Sequence, residues 1–283
     1  MILKTERLLL RPWEESDAAD LYKYAKDPEV GPVAGWQASE HVRYYKELGY
    51  TGIFVTDHFF GGNTAVPRDL PWKERVDWFC SGYEEALIAG QKMGLDVFFA
   101  WEQNYEGDEY LIYGPDKEWL LEHPDIEHWN RTRQLEEVHK AGGAVIQAHP
   151  FRSRGYIKTI LLGRGLCDGI EAVNTANLPF NDVYALRYAE EYSLVTTAGS
   201  DNHNSAARPK DNLSGVILNE RLKGPKDYAR IIREGGPIGL IIPEGWTDVY
   251  PADAPFLETC WIDESEGGCR HIPTGRDWLH EVN

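Results

Sequence analysis

Between residues 52 and 203 the chain repeats one pattern: a short apolar run that reads as a buried strand, followed by residues able to bind a metal ion. Gly52-Ile53-Phe54-Val55-Thr56 runs into Asp57-His58, and Asp96-Val97-Phe98-Phe99-Ala100-Trp101 runs into Glu102. Ala144-Val145-Ile146-Gln147-Ala148 leads to His149-Pro150, and the run from Leu194 to Ser200 leads to Asp201-Asn202-His203. Helix-like segments separate the four runs. Strands joined by helices run parallel and bring their C-terminal ends to one side, so the pattern predicts an α/β barrel whose mouth gathers imidazoles and carboxylates. Those are the ligands of divalent cations.

The punctuation between the runs fits this reading. Ser39 caps a predicted helix from Glu40 to Leu48, which Gly49 stops, and Leu70 to Met93 reads as an amphipathic helix opening on Pro71 and ending at Gly94. A polar loop and a short apolar run, Tyr110 to Tyr113, follow the second strand. Asn130 to Lys140 is predicted helical, with Gly142-Gly143 as its stop. Gly169 to Asn174 reads as a strand, Asn181 to Tyr192 as a helix, Ser214 to Leu218 as a strand and Lys226 to Glu234 as the last helix. Two regions depart from the alternation. Residues 1–36 hold a predicted strand from Glu6 to Arg11, a helix from Ser16 to Lys26 and a connector rich in Pro and Gly. Residues 243–283 lack periodicity and read as an irregular extension of the 37–242 body.

Composition narrows the function. The net charge of −17 argues against nucleic acid as the main partner, because phosphate backbones need a basic surface. A small phosphorylated substrate remains open, since a bound cation reverses the local sign of its site. No run of about eighteen apolar residues is present, so no membrane span is expected, and without a secretory pattern the expected location is cytoplasmic. The four cysteines form no Cys-x-x-Cys pair. Cys80 and Cys167 read as core fillers, while Cys260 and Cys269 leave a disulfide or a metal open. Nothing in the sequence fixes an oligomeric state.

Each candidate ligand has a plainer reading beside it. Asp57-His58 could cap a turn. Glu102, after six mostly apolar residues, must be paired, neutral or metal-bound. Glu109 offers a second carboxylate or is an exposed loop acid. His149 precedes Pro150, which favours an extended conformation, and Arg152 and Arg154 follow it as cations for an anionic substrate. Asp201 and His203, two apart after a strand, can converge on one ion, or Asp201 forms an Asx turn. His41, His123, His128, His139, His271 and His280 read as surface residues.

Residues 38–240 resemble the polymerase and histidinol phosphatase (PHP) family of metal-dependent phosphoesterases. The resemblance rests on Thr56-Asp57-His58, Glu102, Ala148-His149-Pro150-Phe151-Arg152 and Ser200-Asp201-Asn202-His203, in the family's order. It implies a distorted (β/α)7 TIM-like barrel holding two or three Zn, Mn or Fe ions, which hydrolyses a small phosphate ester with a metal-bound water. It carries a ligand role onto His58, Glu102, His149, Asp201 and His203, and a further one onto Glu109. Asp57 becomes an accessory catalytic group, and Arg152 a phosphate contact.

The first strand departs from the family. PHP proteins open on His-x-His, whereas Lys4 to Arg11 holds Leu8 and Leu10 at those positions if the register is kept. Leucine has no lone pair to donate. The segment Leu3 to Trp13, with Asp17 to Tyr24 and Asp27-Pro28-Glu29-Val30, instead resembles the start of a GNAT-type N-acetyltransferase. The acetyl-CoA loop of those enzymes is absent downstream, which argues against acetyl transfer. Two functional expectations follow: a PHP-type phosphoesterase impaired by the lost pair, or a non-catalytic protein of the same fold that binds a metal or a phosphorylated ligand. An amidohydrolase ranks below both, since no Lys stands at a strand end.

Overall fold

The alternating pattern becomes a mixed sheet with helices on its outer face and one helix against its inner face. The computed structural model describes residues 38–204, 213–249, 258–265, 268–276 and 278, with the backbone of 3–4 and 9–10. In chain order the first elements are β1 (Leu3–Lys4), β2 (Leu9–Leu10), α1 (Ala38–Glu47), β3 (Gly52–Val55), α2 (Trp72–Met93), β4 (Asp96–Tyr105) and β5 (Asp108–Tyr113). Then come α3 (Lys117–Glu122), α4 (Arg131–Lys140), β6 (Ala144–Gln147), β7 (Thr159–Leu162), β8 (Gly169–Asn174), α5 (Pro179–Tyr192) and β9 (Val195–Gly199). The last are β10 (Gly215–Ile217), α6 (Pro225–Arg233), β11 (Gly239–Ile241), β12 (Glu258–Asp263) and β13 (Arg270–Pro273).

Six strands form the main sheet in the order β3-β4-β5-β6-β8-β9. The pairs β3/β4, β6/β8 and β8/β9 are parallel, but β5 is antiparallel to both its neighbours. Among the described residues the sheet is a curled half-barrel ending at β3 and β9, consistent with part of a TIM-like barrel, and only the antiparallel β5 departs from the parallel strands expected. The cause is local. Glu106 and Gly107 both have positive φ, 53° and 108°, as the central pair of a type I′ hairpin turn does, so the chain doubles back where a crossover was expected.

Strand alternation sorts the side chains between two faces. Phe99, Trp101, Tyr110, Ile112 and Val145 face outward into a core shared with Val76 and Phe79 of α2, Leu120 of α3 and Val138 of α4. Ala100, Leu111, Tyr113, Ala144, Ile146 and Ala148 face inward, where they meet Tyr228, Ala229 and Ile232 of α6. The Tyr228 ring lies 4.9 Å from both Phe54 and Tyr113, closing one end of the inner face. Helix punctuation follows from capping chemistry. Gly94 ends α2 at φ 71° with its N–H on the Gly90 carbonyl, and the Asn130 side chain accepts the Arg133 N–H at 2.8 Å to start α4.

Both ends of the chain differ from expectation. The tail is not wholly irregular: β12 runs parallel to β7 and antiparallel to β13. Trp261 draws β12 against α5, 5.4 Å from Tyr192. Leu3–Lys4 pairs antiparallel with Leu9–Leu10 as a separate two-stranded sheet, and the rest of the strand predicted from Glu6 to Arg11 lies outside the described residues. Leu8 and the predicted helix from Ser16 to Lys26 lie outside the described residues. The described cysteines are free, so Cys260 and Cys269 are not joined. No described helix is long and apolar enough to cross a membrane.

Candidate metal centre

The phase of each strand decides which side chains meet. Phe54 points inward, so His58, four residues on, keeps the same phase. The chain stays beside β4 that far: the Glu102 N–H bonds the Asp57 carbonyl at 3.1 Å, and the Phe59 N–H bonds the Glu102 carbonyl at 2.8 Å. Glu102 does not follow a finished strand, as the sequence suggested, but lies inside β4, which runs on to Tyr105. It shares the inward phase of Ala100, while Trp101 faces out. Across the hairpin Glu102 pairs with Leu111 and Asn104 with Glu109, placing both glutamates on the inner face. The Asn104 amide donates to Glu109 Oε1 at 3.2 Å.

His149 reaches the same point by breaking phase. Alternation along β6 would send it outward with Gln147, but its φ is +28°. That corrects the extended conformation expected before Pro150. The left-handed turn brings Nε2 to 3.3 Å from Glu102 Oε1 and 3.5 Å from Glu109 Oε2. His58 Nδ1 lies 2.7 Å from Glu102 Oε2 and 3.9 Å from Glu109 Oε1. One donor atom each from His58, Glu102 and Glu109 fits within a mutual 4.8 Å. Asp201 also takes a positive φ, 44°, just past β9. His203 Nδ1 lies 3.3 Å from Asp201 Oδ1, and its exposed ring is 6.0 Å from that of His58, at the rim.

The two predicted catalytic groups stand differently toward this cluster. Arg152 closes on it: Nη1 donates to Glu109 Oε2 at 3.0 Å and lies 3.3 Å from His149 Nε2, while Nη2 donates to the Tyr156 hydroxyl at 2.8 Å. Asp57, one residue out of phase with His58, turns toward α2, where a Cβ on Gly82 would stand 3.3 Å from its Oδ2. Part of Asp57 stays open to solvent, yet the protein crowding its carboxyl raises the pKa against the pull of His58, His203 and His41.

Sequence reasoning missed Glu171. It lies on the inner face of β8, with Oε2 accepting the His149 N–H at 3.1 Å and the Asn174 amide at 2.9 Å. Burial pushes its carboxyl up to about 7 despite nearby His149. A lone acid within Gly169-Ile170-Glu171-Ala172-Val173 was the available signal. His41 is also corrected: it is half-buried, with Nε2 3.0 Å from the Asn202 carbonyl, so α1 braces the loop carrying Asp201 and His203. His139 pairs with Asp168 at 2.8 Å and His123 bonds the Trp119 carbonyl at 2.6 Å, so neither is a free surface group. His280 lies outside the described residues.

The donor set fits a divalent cation. Glu102, Glu109, Glu171 and Asp201 converge with only two inner imidazoles and one guanidinium, an excess of carboxylate that a cation offsets. His58 Nδ1 is buried without a hydrogen-bond partner, since the short approach to Glu102 lacks hydrogen-bond alignment. A deprotonated Nδ1 and that carboxylate oxygen would face one ion as co-ligands, whereas without an ion Glu102 raises the His58 pKa and draws a proton onto the ring. Left to each other, burial opposes charge on Glu102 and His149, and their mutual attraction wins: the carboxyl is held low and the imidazole high.

No protein-family model matches the chain, and no curated protein matches its sequence. Among solved structures, PsfC from Pseudomonas syringae PB-5123 is similar over 75% of this chain and 86% of its own, at 16% identity and a TM-score of 0.50. The two chains share a fold. A two-domain protein from Bacteroides vulgatus, containing a predicted PHP-like metal-dependent phosphoesterase, is similar over 70% of this chain at 16% identity and a TM-score of 0.47. That match spans 58% of the Bacteroides protein, less than two thirds of its length.

Proposed function

We propose that the chain is a PHP-type metal-dependent phosphoesterase acting on a small phosphorylated substrate in the cytoplasm, with a centre weakened at its first strand. The observation that carries this reading is the meeting of His58, Glu102, Glu109 and His149 on one inner sheet end. With Asp201 and His203 at the rim, these six side chains would hold divalent cations, Zn, Mn or Fe. Such ions, when bound, supply Lewis acidity toward phosphate oxygens and lower the pKa of water.

The chain's own residues do the rest. Glu109 and Tyr156 hold the Arg152 guanidinium at the cluster, where it can present two N–H groups to a phosphate. Glu171 fixes the backbone of His149, and through it the aim of the imidazole. Asp57 acts from beside α2 as an accessory group, its carboxyl raised by burial.

The weakened centre is read from the first strand. Leu10 pairs with Leu3 in a two-stranded sheet separate from the six-stranded one, and a leucine has no lone pair to offer an ion. Chain purified without chelator should carry divalent metal and hydrolyse a generic phosphate ester slowly. Glu102→Gln and His149→Ala should each lose metal by tenfold or more in affinity. Metal content unchanged in both variants would overturn the ligand assignment. A second reading, a non-catalytic phosphate binder, is favoured by the direct pairing of Arg152 with Glu109. Replacing both Leu8 and Leu10 by His separates the two: activity arising only in that variant marks the native chain as the binder.

A further inference from the structure

At the far tip of the β4–β5 hairpin lies a second group of metal-binding side chains that shares no residue with the first. Glu106 forms the turn, while Cys269 and His271 come from the tail, just before and within β13. One carboxylate oxygen, the thiol sulfur and one imidazole nitrogen all lie within 4.8 Å of one another. We propose that Glu106, Cys269 and His271 form a separate cation site that takes zinc or another borderline-soft divalent ion and pins the tail hairpin to the β4–β5 turn.

Three features of the chain build this site. Cys269 stands immediately before β13 and His271 within it, two residues on, and their donor atoms lie within 4.8 Å of each other. The positive φ of Glu106, 53°, is a backbone a carboxylate residue rarely adopts, and it sets the side chain at the hairpin's outer end. Behind the thiol stands Arg131, with Nη1 3.4 Å from Cys269 Sγ. The guanidinium is itself fixed by Asp108, at 2.9 Å from Nε and 2.5 Å from Nη2, and by Glu264 at 2.7 Å from Nη1. Burial, with Glu106 and Glu264 nearby, prevails over the pull of Arg131 toward thiolate and raises the thiol pKa, so a bound metal must displace the proton. The two carboxylates already balance Arg131, so a bound ion would meet a net negative surround.

The donor types select the ion. Sulfur, nitrogen and oxygen together suit tetrahedral zinc with water as fourth ligand, whereas calcium and magnesium prefer oxygen alone. At zinc bond lengths near 2.0–2.3 Å the ligand atoms sit roughly 3.5 Å apart, so from within 4.8 Å the side chains need draw in by at most roughly 1 Å. Cys269 is exposed and free, and the other cysteines are buried or half-buried, so only this thiol is open to an added metal.

Cobalt(II) is the probe, because a thiolate ligand gives it a charge-transfer absorption that carboxylates and imidazoles do not. The full chain, reduced and stripped with chelator, is titrated with cobalt. The band should appear in the native chain, persist in Glu102→Gln, and vanish in Cys269→Ser and in His271→Ala. Zinc should displace it, and Glu106→Gln should weaken cobalt binding by about tenfold or more. No band in the native chain, or an undiminished one in Cys269→Ser, overturns the proposal. The centre described earlier contains no sulfur, so its success or failure leaves this readout untouched.

Discussion

Asp182 shows how far a single buried side chain can tie stability to pH. It is 2% exposed, its Oδ2 accepting the Trp246 indole N–H at 2.8 Å and the Asn174 N–H at 3.0 Å. Burial still dominates and pushes the carboxyl up to about 7 from 3.8. Between those values the folded chain holds a proton that the unfolded chain has released, so stability is fullest below pH 3.8 and is lost as pH rises through about 7. Asp182→Asn keeps an acceptor oxygen and removes the titration. Unfolding free energies from urea melts at pH 5 to 8 should fall for the native chain and fall less for the variant, by about 2–4 kcal/mol, the remaining slope belonging to Glu171. Gly199 makes a steric case of the same kind. A Cβ there would strike Glu171 Oε1, so Gly199→Ala should destabilise by about 1–3 kcal/mol and loosen His149, as thermal unfolding and metal affinity would both report. Residue types were legible at this scale, but aim was not. Nothing in Ala148-His149-Pro150 announces a positive φ, because that conformation is imposed by Glu171 gripping the His149 N–H from another strand.

Among the elements, α2 and the β4–β5 hairpin carry most of the architecture. Gly90 on α2 is a contact residue: a Cβ would stand 2.6 Å from both the Leu95 carbonyl and Val97 Cγ2. Alanine gains about 1 kcal/mol of helix propensity there, but the carbonyl cannot yield. The clash wins, and Gly90→Ala should lower stability by about 1–2 kcal/mol in urea unfolding. The helices were readable because their ends are written in Pro71, Gly94 and Asn130, local chemistry that does not depend on the fold. The hairpin was not, since Glu106-Gly107 is a weaker turn signal than Asn-Gly and the polar stretch around it reads equally as a loop. Missing it meant missing that Glu102 and Glu109 lie on neighbouring strands rather than in a strand and a loop.

On the scale of the whole molecule, Arg131 links parts of the chain that are distant in sequence. It bonds Asp108 and the Tyr105 carbonyl on the hairpin, stands in α4, and reaches Glu264 in the tail. Arg131→Ala would strand buried Asp108 and should cost about 3–5 kcal/mol, with the tail the first part to open in hydrogen exchange. This long-range tie explains why the tail, aperiodic in sequence, folds into two strands: its order comes from Arg131, Tyr188 and Tyr192 rather than from its own pattern. The parallel pairs were legible from apolar runs, but closure was not, because a sheet's order is set by pairings no single run encodes. The candidate ligands come from four stretches between His58 and His203, which has a consequence for synthesis. At roughly 5–20 residues per second, about 7–30 s separate the first ligand's emergence from the last. During that interval a nascent chain would show only a partial set of donors, so the proposed centre would be complete only once the last strand docks.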